Sequence, residues 1–137
     1  MPPLTATILC VDDDEDDLYF IREAISTQPY PLRMDEAHNG WEAMAYLENA
    51  LALNALPSLV IMDINMPRMD GKQAVKKIRE YEAFSRIPIA IFTTSSNLTD
   101  RSHFENQGVH FITKPFDYKT FTRQIIDLLA LYAPPKA

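Results

Sequence analysis

The chain has 137 residues, 47% of them hydrophobic and 23% charged. That is enough to bury one core of ordinary domain size, and too apolar for a disordered tail. The net charge of −6, from 19 acids against 13 bases, argues against nucleic acid as a partner, because phosphate backbones are met by clustered Lys and Arg.

The opening MPPLTATIL lacks a basic run ahead of a long apolar one, so no signal peptide is expected. ATILCV (6–11) reads as a buried strand. It contains the one cysteine, Cys10, which cannot close an internal disulfide and fits a small core residue in a reducing compartment. Six consecutive acids follow, Asp12 to Asp17, and their mutual repulsion requires something to offset it. Leu18, Ile21 and Ile25 recur at spacings of three and four, predicting an amphipathic helix over 15–26. Residues 31–37 form a second strand behind prolines. Residues 40–53 read as a helix with Ala43, Leu47, Ala50 and Leu51 on one face and Trp41 and Met44 as packing residues.

SLVIMD (58–63) is a third strand, apolar until its last residue. A helix over 71–82 places Val75, Ile78 and Glu82 in register and shows a basic, solvated face at Lys72, Lys76, Lys77 and Arg79. PIAIFTT (88–94) is a fourth strand, 97–107 a weak helix with Leu98 and Phe104 as its apolar residues, and VHFITK (109–114) a fifth strand. The last helix, 117–132, turns Phe121, Ile125, Leu128, Leu129 and Tyr132 inward. No apolar run reaches the ~20 residues of a membrane helix, so a cytoplasmic chain without a membrane partner is expected. His38, His103 and His110 have no second ligand at metal spacing along the chain.

Strands alternating with helices predict βαβ units and a parallel sheet covered on both faces. In such a sheet all carboxyl ends lie at one edge, where ligands bind. Strand one ends in Asp12 and Asp13, strand three in Asp63, strand four in Thr93 and Thr94, and strand five in Lys114. Three carboxylates, a hydroxyl and an ammonium would then converge. Three ionised carboxylates in one spot call for a cation, and magnesium, which takes oxygen ligands and leaves positions open for phosphate, suits them. That set equips phosphoryl transfer, with an aspartate as possible nucleophile.

These strand ends carry a resemblance. ILCVDDDEDD (8–17) resembles the acidic-pair strand of response-regulator receiver domains. LVIMDINMPRMDG (59–71) resembles their phosphoacceptor segment, IAIFTTSS (89–96) their Thr/Ser strand and HFITKPF (110–116) their Lys-Pro strand. The four occur in the family's order over residues 5–132, leaving 1–4 and 133–137 as short tails with no output domain. The resemblance implies a flavodoxin-like α/β fold, a doubly wound five-stranded parallel sheet of order 2-1-3-4-5.

It further implies that Asp63 is phosphorylated and that Asp12, Asp13, Asp63 and the Asn65 carbonyl hold Mg²⁺. Thr93, rather than Thr94, would bind a phosphoryl oxygen and Lys114 would pair with the phosphoryl group. Pro115 would follow a cis peptide, Phe111 would be a switch aromatic, and Asn65 and Ser95 would tune phosphate lifetime. The implied role is a signalling phosphoacceptor rather than an enzyme. It would be loaded by a sensor histidine kinase or a histidine phosphotransfer protein and would switch the face built from the fourth helix, fifth strand and fifth helix. The downstream protein is open among a relay acceptor, an effector target and a phosphate sink, and the state is a monomer or a weak dimer through the 97–132 face. Asp14 to Asp17 are assigned to the loop and first turn of helix one, where acids favour the positive end of the dipole.

Two rival patterns fit less of the chain. An EF-hand loop over 12–23 has Asp17 where glycine is needed and a strand in front of it. A dehalogenase-type phosphatase would use Asp12 and Asp14 as its Asp-x-Asp, but lacks a later acidic strand end and leaves NMPRMDG unexplained.

Overall fold

The computed structural model describes residues 5–134, so residues 1–4 and 135–137 of the expected tails lie outside the described residues. The elements run β1 (Ala6–Val11), α1 (Glu15–Ser26), β2 (Leu32–Ala37), α2 (Gly40–Ala52), β3 (Leu59–Met62), α3 (Gly71–Glu80), β4 (Ile89–Thr93), α4 (Leu98–Glu105), β5 (His110–Thr113) and α5 (Tyr118–Tyr132). The five strands form one parallel sheet of order β2-β1-β3-β4-β5, the flavodoxin-like arrangement that the resemblance implied.

Alternation along each strand decides which helices cover which face, since successive side chains point to opposite sides. Leu9, Val11, Val60, Met62, Ile89, Ile91 and Phe111 pack with α2, α3 and Phe104 of α4. Ile8, Cys10, Leu59, Ile61, Ala90 and Phe92 pack with the apolar stripes of α1 and α5. Cys10 is buried, and burial, reinforced by the Asp12 charge, pushes its thiol far above the usual range, so it is a core residue and not a nucleophile.

Several expectations change. The 71–82 helix stops at Glu80, Tyr81 is extended, and Glu82–Phe84 form a separate 3₁₀ turn. The cause is Arg79, whose guanidinium donates to the carbonyls of Phe84, Ser85 and Ile87 at 3.0–3.3 Å and folds the chain back, burying Phe84. Arg79 therefore leaves the solvated basic face. Met44 packs inside, but Trp41 is exposed because it lies on the side of α2 away from Ala43, Leu47 and Ala50, and Leu51, one heptad after Met44, is exposed in the last turn of the helix. Leu98 is likewise exposed, leaving Phe104 as the one buried residue of α4. Tyr132 is only half-buried.

Candidate functional site

The carboxyl ends of β1, β3, β4 and β5 meet at one edge. Asp12 and Asp63 stop adjacent strands: the Asp63 amide donates to the Val11 carbonyl at 2.9 Å, and the Asp12 amide to the Ala37 carbonyl at 3.0 Å. Both carboxylates are buried, while Asp13 is exposed. Each of the three offers an oxygen, and these atoms lie within 4.8 Å of one another. Asp63 Oδ1 accepts from the Ile64 amide at 2.8 Å, and Asp12 Oδ1 from the Asp14 amide at 2.9 Å.

The loop after Asp63 is held back against α3. The Gly71 amide donates to the Ile64 carbonyl at 2.8 Å, and a Cβ on Gly71 would sit 2.6 Å from the Asp63 carbonyl oxygen. Glycine is needed here because backbone touches backbone. Asp70 caps α3 in a reciprocal box with Gln73, which makes the Asp-Gly pair a helix start. Asn65 is exposed, and no backbone hydrogen bond among the described residues uses its carbonyl.

Lys114 follows β5, and its amide is held by the Thr93 carbonyl at 2.6 Å. Its side chain is only 6% exposed, and its Nζ lies 2.8 Å from Asp12 Oδ2, 2.7 Å from Asp17 Oδ2 and 3.6 Å from Asp63 Oδ2. Burial pushes the Lys114 pKa down, but the Asp12 and Asp63 charges and the hydrogen bonds to Asp12 and Asp17 outweigh it and raise the value, so the ammonium is retained. Burial raises Asp12 to about 6, with Lys114 opposing the shift.

Thr93 is fully buried, and its Oγ1 accepts from the Ser95 amide at 3.4 Å, whereas Thr94 is exposed. Phe111 is buried, stacks on Phe104 and lies under the Arg101 guanidinium at 4.9 Å. There is no cis peptide among the described residues, so the Lys114–Pro115 bond is trans, against the expectation from resemblance. Trans is the lower-energy isomer even for X–Pro, and only about 5–6% of such bonds in folded proteins are cis.

The acidic run divides differently from the sequence reading. Asp14 caps α1, accepting from the amides of Asp16 and Asp17. Asp17, assigned only to the helix start, reaches Lys114; the contact spans 97 positions and no local spacing signals it. The structure also gives His38 companions that its sequence position hides: Nε2 lies 3.0 Å from Glu15, Nδ1 lies 3.1 Å from Glu42, and Glu36 stands nearby, paired with Arg22. That group is on the surface.

The family described as the response regulator receiver domain matches residues 8–126. The protein PilH of Pseudomonas aeruginosa is 32% identical over 91% of this chain and 98% of its own length. The sensor histidine kinase CheAY of Helicobacter pylori is 31% identical over 88% of this chain, which spans only 14% of that longer protein. Among solved structures, the phosphorylated cyanobacterial phytochrome response regulator RcpA superposes with a TM-score of 0.87 at 27% identity, covering 94% of both chains. Four strand ends at one sheet edge and matches of this extent agree: the chain belongs to the response regulator receiver domain family, the receiver modules of two-component signalling.

Proposed function

We propose that Asp63 accepts a phosphoryl group from a phosphohistidine on a sensor histidine kinase or a histidine phosphotransfer protein, and that the loaded domain signals to a protein partner. The observation that carries this reading is the pairing of two buried carboxylates, Asp12 and Asp63, with one buried ammonium, Lys114, at the end of a parallel sheet.

Asp12, Asp13 and Asp63 bring more negative charge than Lys114 offsets, and every donor is oxygen. That set fits a hard dication such as Mg²⁺, with the Asn65 carbonyl as a further ligand. Such a cation, when bound, neutralises charge on phosphoryl oxygens. In the transfer an Asp63 carboxylate oxygen attacks phosphorus. The O–P bond forms as the donor's P–N bond breaks, its electron pair remaining on the imidazole nitrogen. Lys114 is 3.6 Å from Asp63 Oδ2, close enough to donate to a phosphoryl oxygen carried there. Thr93 Oγ1, which accepts weakly from the Ser95 amide, donates its hydroxyl proton to a phosphoryl oxygen, and Phe111 and α4 repack in a two-state shift.

With Mg²⁺ and a small phosphodonor, the wild-type chain should gain one phosphoryl group by mass spectrometry and shift its amide spectrum over 93–115. Asp63→Asn should do neither. Equal labelling of Asp63→Asn would sink the assignment.

A further inference from the structure

We propose that Asp17 is a positioning residue for Lys114, aiming its ammonium at Asp63; the assignment rests on the phosphoacceptor reading above. A lysine ammonium is a compact charge with three N–H donors on a flexible four-carbon stem. Here two donors are taken, by Asp12 Oδ2 at 2.8 Å and Asp17 Oδ2 at 2.7 Å, and Asp63 Oδ2 at 3.6 Å stands beyond hydrogen-bond length. The two anchors come from different elements, the end of β1 and the first turn of α1. Together they hold the head group and leave the third donor for whatever Asp63 carries.

Helix-start electrostatics do not account for Asp17. Glu15 and Asp16, in the same turn, are exposed, and Asp14 already supplies the cap. The Asp17 side chain is 19% exposed and bonded across 97 positions to a lysine that is 6% exposed. It also borders the same open space as Lys114. A cavity of about 480 Å³ between α1 and the β5–α5 connection is lined by both residues, together with Phe20, Thr94, Phe116 and Tyr118. Without Asp17 the ammonium is free to turn into that cavity, toward water and away from Asp63. Asp12 alone holds the ammonium at a single point, about which the flexible stem can still turn.

The test compares wild type with Asp17→Ala, Asp17→Asn and Asp16→Ala. It measures the maximal phosphorylation rate with acetyl phosphate, the Mg²⁺ concentration at half-saturation, and the Nζ signal of Lys114 by ¹⁵N NMR without any phosphodonor. Losing one charge-assisted hydrogen bond should slow Asp17→Ala about tenfold at saturating donor, with Mg²⁺ half-saturation unchanged. Its Lys114 Nζ protons, slow to exchange in wild type, should exchange rapidly. Asp17→Asn, which keeps volume and an acceptor oxygen, should lose less in the same direction and carries the test if the alanine variant does not fold. Asp16→Ala should match wild type. A wild-type rate in the Asp17 variants, an unaltered Lys114 signal, or an equal loss in Asp16→Ala would each overturn the assignment. If wild type itself takes no phosphoryl group, the phosphoacceptor reading falls and this assignment with it.

Discussion

Helices α3 and α4 cover the same face of the sheet, next to each other in sequence, and are held in opposite ways. α3 buries Gly71, Ala74, Val75 and Ile78, carries a capping box, and begins with its backbone against that of Asp63 and Ile64. α4 has eight residues, buries only Phe104, and is tied at its start by polar contacts: Asp100 to Lys72 at 2.7 Å and to Ser95 Oγ at 2.9 Å. Apolar burial and backbone contact make a fixed support for the acidic edge, while a single aromatic and a few surface charges make an element of low local stability. The difference teaches where a change at Asp63 can be absorbed. The chain beyond Thr93 can rearrange at small cost, and the chain beyond Asp63 cannot.

The largest expected effect is at the one apolar anchor of α4. Phe104→Ala should cost about 3–5 kcal/mol in urea unfolding, and α4 amides should lose hydrogen-exchange protection well before those of α3. Equal loss in both helices would break the contrast. Next comes the support of the acidic edge. Gly71→Ala forces a Cβ to within 2.6–2.8 Å of the backbone of Asp63 and Ile64 and should cost about 1–3 kcal/mol. A neutral result would mean that the loop yields and is no rigid support.

The smallest effect lies in the polar tie. Asp100→Asn should change global stability by less than about 1 kcal/mol, yet loosen α4 amides selectively. The same tie has a pH signature. Hydrogen bonds from Lys72, then Ser95, hold the Asp100 pKa below its usual value, so its contribution is present above the ordinary aspartate range and is lost as pH falls through the lowered folded value. Amide exchange in α4 of wild type should therefore quicken on acidification over that window. In Asp100→Asn the dependence should vanish.

The fold was legible because its signals are local and periodic. Nearly continuous apolar strands, helical stripes at three and four, and turn residues between them specify βαβ units, and the handedness and parallel pairing of such units bring their carboxyl ends together. From that, Asp12, Asp13, Asp63, Thr93 and Lys114 could be placed at one edge without knowing any contact. Helix ends were less legible: the stop at Glu80 depends on Arg79 reaching carbonyls five to eight residues ahead, which no helical period encodes.

By itself, then, the sequence determined the layer architecture and which strand ends carry polar residues, because both follow from side-chain spacing along an ordered backbone. Only the tertiary structure decided which acid of the run 12–17 joins Lys114, that Trp41 stays in water, that the Lys114–Pro115 peptide is trans and that His38 stands among glutamates. Those outcomes rest on long charged side chains choosing partners across nearly the whole chain, and on the room left after the sheet has closed. Six like charges in a row look alike in sequence, and they become different when the end of β5 delivers one ammonium among them.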